Sequence, residues 1–78
     1  MSPKLPVISG RKAIEVFEHV GYKSVRQRGS HIRLRDENNP KHLPITIPDH
    51  KELKFGLLRK LIRDAGSAVE DFLSLLGK

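Results

Sequence analysis

Gly29-Ser30 stands between two runs of alternating side chains, residues 24–28 and 31–35, and a two-residue break of that kind closes a β-hairpin. Glycine at the first turn position supplies the positive φ that a type II′ turn demands. The pairing follows from the turn. Arg28 faces His31, Gln27 faces Ile32, Arg26 faces Arg33, Val25 faces Leu34 and Ser24 faces Arg35. Side chains alternate along strands, so Val25 and Leu34 share one face while Arg26, Arg28, His31, Arg33 and Arg35 share the other. Like charges opposite one another, as at Arg26 and Arg33, oppose pairing. That face is therefore expected to receive an anion, unless it is simply a solvated basic surface.

The rest of the chain narrows the partner. Its 78 residues suggest one small domain, residues 1–78, and a chain of that size buries only about 60% of its unfolded surface. Cysteine is absent, which removes disulfides, thiolate metal ligands and a cysteine nucleophile. No apolar run approaches a membrane span, and Met1-Ser2-Pro3-Lys4 does not begin a signal peptide, so a cytoplasmic protein is expected. The net charge of +6 is unevenly placed. Residues 1–35 carry eight Lys/Arg against two Glu, whereas residues 36–78 carry seven of each sign. A small domain whose excess charge is confined to one segment has the footprint of a phosphate-backbone partner. An anionic membrane suits it less, because a polar hairpin lacks the apolar stripe of an interfacial helix.

Taken in order, Pro3 and Pro6 keep the start extended. Ser9 is an N-cap, with Ile8 and Ala13 placed to staple it, for a helix over residues 10–20 whose stripe is Ala13, Val16, Phe17 and Val20. Gly21 ends that helix, and His19 in its last turn reads as a dipole-capping residue. After the hairpin, residues 36–40 form a polar turn. A third strand over residues 41–47 then places Leu43, Ile45 and Ile47 inward and His42, Pro44 and Thr46 outward. Pro44 marks it as an edge strand, and His42 reads as surface. A second helix runs from residue 53 or 54 to 65 on Leu57, Leu58, Leu61, Ile62 and Ala65. Gly56 inside it costs about 1 kcal/mol relative to alanine, so either the helix starts late or something approaches its backbone. Ser67 is the expected N-cap of a short last helix carrying Val69, Phe72, Leu73 and Leu76. The outline is an α+β fold, α-β-β-β-α with a small extra helix, in which a three-stranded antiparallel sheet is covered on one face by helices.

Several chemistries drop out. His31, His42 and His50 lack the spacing of a metal site, so neither metal nor other cofactor is expected. No glycine-rich loop links a parallel strand to a helix, and Ser30 beside His31 in one hairpin cannot easily direct its hydroxyl to that imidazole. General acid–base chemistry on a bound phosphodiester remains. RNA brings its own nucleophile, the 2′-hydroxyl, so a ribonuclease needs a base, cations at the phosphorane and correct positioning. Histidine titrates near neutrality and suits the first role. On the residues alone, a non-catalytic RNA-binding module remains open, as does an interaction domain whose edge strand pairs with a partner protein.

A set of local patterns adds to this reading: Leu5-Pro6 followed by Ser9-Gly10, then Phe17, Gly21-Tyr22 and Val25-Arg26-Gln27-Arg28-Gly29-Ser30-His31. Further on come Ile47-Pro48-Asp49-His50, Glu52-Leu53-Lys54 with Gly56, and Leu58 through Gly66. Across almost its full length the chain resembles the HicA family of mRNA interferase toxins, partners of HicB antitoxins. The resemblance implies a double-stranded RNA-binding-domain-like fold and a catalytic histidine at His31. It further implies a translation-independent endoribonuclease acting on mRNA and neutralised by a HicB-like antitoxin that covers the active site. One departure is visible: the family has threonine after the helix glycine, where this chain has Leu57.

The expected site is therefore His31 as general base or acid, with Arg26, Arg28, Arg33 and Arg35 on phosphate, Gly29 shaping the approach and Ser30 a further RNA or phosphate contact. His50 sits before the second helix, whose N-terminal amides favour anions, and reads as leaving-group acid, phosphate contact or plain loop anchor. Lys54 near the helix start is a further expected phosphate contact.

Overall fold

A computed structural model describes residues 5–77. The extended conformation expected at Pro3 lies outside them. Six elements follow one another: α1 (Gly10–Val20), β1 (Lys23–Arg28), β2 (His31–Arg35), β3 (Ile45–Pro48), α2 (Phe55–Asp64) and α3 (Val69–Leu76). The sheet is antiparallel with β2 in the centre, and the helices pack against it. This is the expected α+β arrangement and agrees with a double-stranded RNA-binding-domain-like fold.

The start of α1 follows its sequence signals closely. Ser9 accepts a hydrogen bond from the Lys12 amide at 3.1 Å, and Gly21 caps the other end at φ 124°. Gly10 is required for a different reason. A Cβ there would stand 1.9 Å from the Pro48 carbonyl oxygen, so α1 can lie against the end of β3 only with glycine at this place. Buried Ala13, Val16 and Phe17 of α1 join Ile32 and Leu34 of β2, Ile45 and Ile47 of β3, Leu58, Leu61 and Ile62 of α2, and Phe72 of α3 in one apolar cluster. Phe17 lies at its centre, tilted against Phe72 at 5.3 Å and meeting the edge of Tyr22 at 5.9 Å.

The pairing of the hairpin holds for Arg28 with His31, Gln27 with Ile32 and Arg26 with Arg33, and then breaks. A bulge between Ser24 and Arg26 makes Ser24 face Leu34 and Lys23 face Arg35. Val25, expected inward beside Leu34, is 49% exposed. The physical reason is parity: one extra residue in a strand turns the side chains beyond it to the opposite face. No helix packs substantially on β1, so nothing pulls Val25 back.

The third strand is shorter than its alternation suggested, because residues 41–44 are a turn and loop. Leu43, expected inward, is 52% exposed. Its amide donates to the Asp64 carbonyl at 2.9 Å and its carbonyl accepts from the Tyr22 hydroxyl at 2.7 Å, so its backbone is bound to α2 and Tyr22 instead of to β2. His42 is likewise no surface residue. It is half-buried, stacked parallel to Tyr22 at 5.5 Å, with Nδ1 2.8 Å from Asp36 Oδ2 and Nε2 3.2 Å from the Asn39 amide nitrogen. The imidazole tautomer protonated at Nδ1 satisfies both neighbours. Burial, with the Asp36 and then the Asp64 carboxylate nearby, pushes the Tyr22 phenol up to about 12.

The two later helices start one residue or more beyond their sequence signals. α2 begins at Phe55 with Lys54 as N-cap, so Gly56 falls in the first turn, and a Cβ there would meet nothing within 4 Å. The late start is the explanation of this glycine. Ala68, not Ser67, is the N-cap of α3, and no side chain caps the helix. Glu70 and Asp71 in its first turn supply the favourable dipole interaction instead.

Candidate active site

Alternation in β2 sends Ile32 and Leu34 to the core and His31, Arg33 and Arg35 to the face that the helices leave open. Registration against both neighbours then builds two rows across the sheet. Arg28, His31 and Pro48 form one, and Arg26, Arg33 and Thr46 form the next. A cavity of about 530 Å³ opens over these rows, walled by Val25, Arg26, Arg28, His31, Arg33, Arg35, Glu37 and Thr46. That volume lies within the range of small-ligand sites. Residues two apart on a strand stand roughly 7 Å apart on one face, so a phosphate group can touch His31 and Arg33 together.

The rows are held in place from below. Gly29 takes φ 55° while Ser30 has no positive φ, the sign pattern of a type II′ turn, and the Ser30 carbonyl accepts from the Asp49 amide. Asp49 in turn receives two hydrogen bonds from the Arg11 guanidinium of α1, at 3.1 and 3.2 Å. The connector between β3 and α2 is tied further by Gly10 donating to the His50 carbonyl at 2.9 Å and Leu53 donating to the Ile8 carbonyl at 2.8 Å. The hairpin turn that carries His31 is thereby fastened to the N-terminus of α1 through one short segment.

Of the residues expected at the site, Arg26, Arg28, His31, Arg33 and Arg35 come together on the cavity wall. Gly29 and Ser30 form the adjoining turn and are not part of the wall. His50 and Lys54 are exposed and stand outside it; His50 contributes its carbonyl to the contact with α1, and Lys54 is the N-cap of α2. Val25, Glu37 and Thr46 are walls that the sequence reading did not single out. Alternation did place Thr46 outward, but nothing in the sequence says which residue of β2 it faces. Glu37 is the one carboxylate on the wall, and among the described residues it makes no ion pair with the arginines around it.

Chemically, the arrangement offers an exposed imidazole as proton acceptor or donor among guanidinium groups suited to phosphate oxygens. Among the described residues no helix is long and apolar enough to cross a membrane. A family model described as the HicA toxin of bacterial toxin–antitoxin systems matches residues 10–67. No curated protein and no solved structure gave a match.

Proposed function

The chain belongs to the HicA family of toxins from bacterial toxin–antitoxin systems, and we propose that it is an endoribonuclease that cuts mRNA without a metal ion, using His31 as its general base or acid. The observation that carries this reading is one imidazole in a cavity with Arg26, Arg28, Arg33 and Arg35. The 2′-oxygen of a ribose attacks the adjacent phosphorus while His31 takes its proton. The bond from phosphorus to the 5′-oxygen then breaks, and that oxygen leaves with a proton from solvent or from a second group. Guanidinium groups on the non-bridging oxygens neutralise the charge of the phosphorane. A HicB-like antitoxin of complementary charge would block this chemistry by covering the same face, and its addition is expected to abolish cleavage.

The test is cleavage of a defined single-stranded RNA in EDTA by the wild type and by His31→Ala. The expected result is cutting by the wild type alone, with a 2′,3′-cyclic phosphate and a 5′-hydroxyl as ends. Ends carrying a 3′-hydroxyl would contradict attack by the 2′-oxygen. RNA binding by both proteins with cleavage by neither would assign the chain instead to non-catalytic RNA binding.

A further inference from the structure

The arginines on the cavity wall are not equivalent. Among the described residues, Arg33 alone of these has its guanidinium held by a hydrogen bond: its Nη1 donates to the Thr46 hydroxyl at 2.9 Å. Arg33 and Thr46 are direct partners across the β2–β3 pairing, and both are half-buried. Arg26, Arg28 and Arg35 are exposed. Arg33 also occupies the central strand two residues from His31 on the same face, with Arg26 opposite on its other side. A long cationic side chain loses considerable rotamer entropy when it is fixed. One that is already fixed in the free protein meets a developing charge without that loss, whereas the exposed arginines must be ordered by the RNA.

Resting on the nuclease reading above, we propose that Thr46 is a positioning residue that holds Arg33 as the guanidinium contacting the reacting phosphate, while Arg26, Arg28 and Arg35 bind flanking phosphates. Thr46 touches no substrate in this assignment. It leaves the remaining N–H donors of Arg33 free to reach the non-bridging oxygens, a task that lysine, with a compact point charge and no planar fork, performs less well.

The substitutions that separate these roles are Thr46→Val, which keeps shape and strand preference but removes the hydroxyl, and Thr46→Ser, which keeps the hydroxyl. Thr46→Val is expected to lower kcat about tenfold, with KM within about twofold of wild type, the size expected for losing one charge-assisted hydrogen bond. Thr46→Ser is expected to restore most of the rate, and Arg28→Gln to raise KM with a smaller effect on kcat. The second readout does not depend on catalysis: the 15N–1H signal of the Arg33 Nε–H should be sharp and dispersed in the wild type, and averaged in Thr46→Val. A wild-type kcat in Thr46→Val, or an unchanged Arg33 signal, overturns the proposal. A rate loss that Thr46→Ser shares in full also overturns it, because the hydroxyl is then not what matters. Should the wild type fail to cut RNA, the nuclease reading fails and takes the catalytic assignment of Arg33 with it. The Arg33 signal then still decides whether Thr46 positions that side chain.

Discussion

Tyr22 is the chain's only tyrosine, and tryptophan is absent, so its titration can be followed without interference. It is 1% exposed, and burial with Asp36 and Asp64 nearby raises its pKa to about 12. The folded protein therefore keeps the phenol proton where the unfolded chain releases it. Stability from this source is fully present below the unfolded value near 10 and is lost as the pH rises towards 12. A tyrosinate absorbance titration should show a midpoint near 12 in the native protein and near 10 in denaturant. Gly10 gives a second single-residue expectation. Gly10→Ala would force α1 away from the Pro48 carbonyl, an overpacking change of the kind that costs about 1–3 kcal/mol or more, measurable by urea unfolding.

Among elements, the hairpin and α3 depend on different physics. Gly29 has open space around it, so the methyl of Gly29→Ala meets no clash, but φ 55° strains any L side chain placed there. A loss of about 1 kcal/mol in chemical unfolding is expected. α3 has no side-chain cap, and Phe72 is its one fully buried side chain, so its attachment centres on that ring against Phe17, with Val69, Leu73, Leu75 and Leu76 partly buried against the core. Phe72→Ala should cost about 3–5 kcal/mol, and amide exchange should accelerate first across α3. Among the described residues no strand pairs with the outer edge of β1, yet Lys23, Arg26, Arg28 and the bulge make it a poor template for another strand.

Viewed whole, the molecule has one sheet face sealed by helices and one left basic and open. If RNA binds that face as proposed, its phosphate contacts are electrostatic, and the logarithm of affinity should fall linearly with the logarithm of salt concentration. Losing one phosphate-contacting arginine should reduce that slope by about 0.7 for a single strand, which Arg28→Gln tests in binding titrations across salt. Lys60→Gln, on the exposed side of α2 and away from the cavity, should leave the slope unchanged. Equal slopes for wild type and Arg28→Gln would remove Arg28 from the interface.

Much of the short-range chemistry was legible, though the Ser67 cap and the start of α2 were not. The Ser9 cap, the Gly21 stop, the positive φ of Gly29 and the three inner pairs of the hairpin each depend on residues a few positions apart, and each was readable from its neighbours. The gathering of His31 with the arginines followed from alternation alone. What alternation could not supply was whether a strand continues. Val25 leaves the expected face because one extra residue fits where no helix covers β1, and Leu43 leaves the sheet because Tyr22 and Asp64 claim its backbone. The stacking of His42 on Tyr22 and the pairing of Thr46 with Arg33 join residues separated by loops or turns of unconstrained path. Those contacts are set by how α1, the loop of residues 36–44 and α2 close around one core, a competition among distant groups that no local pattern records.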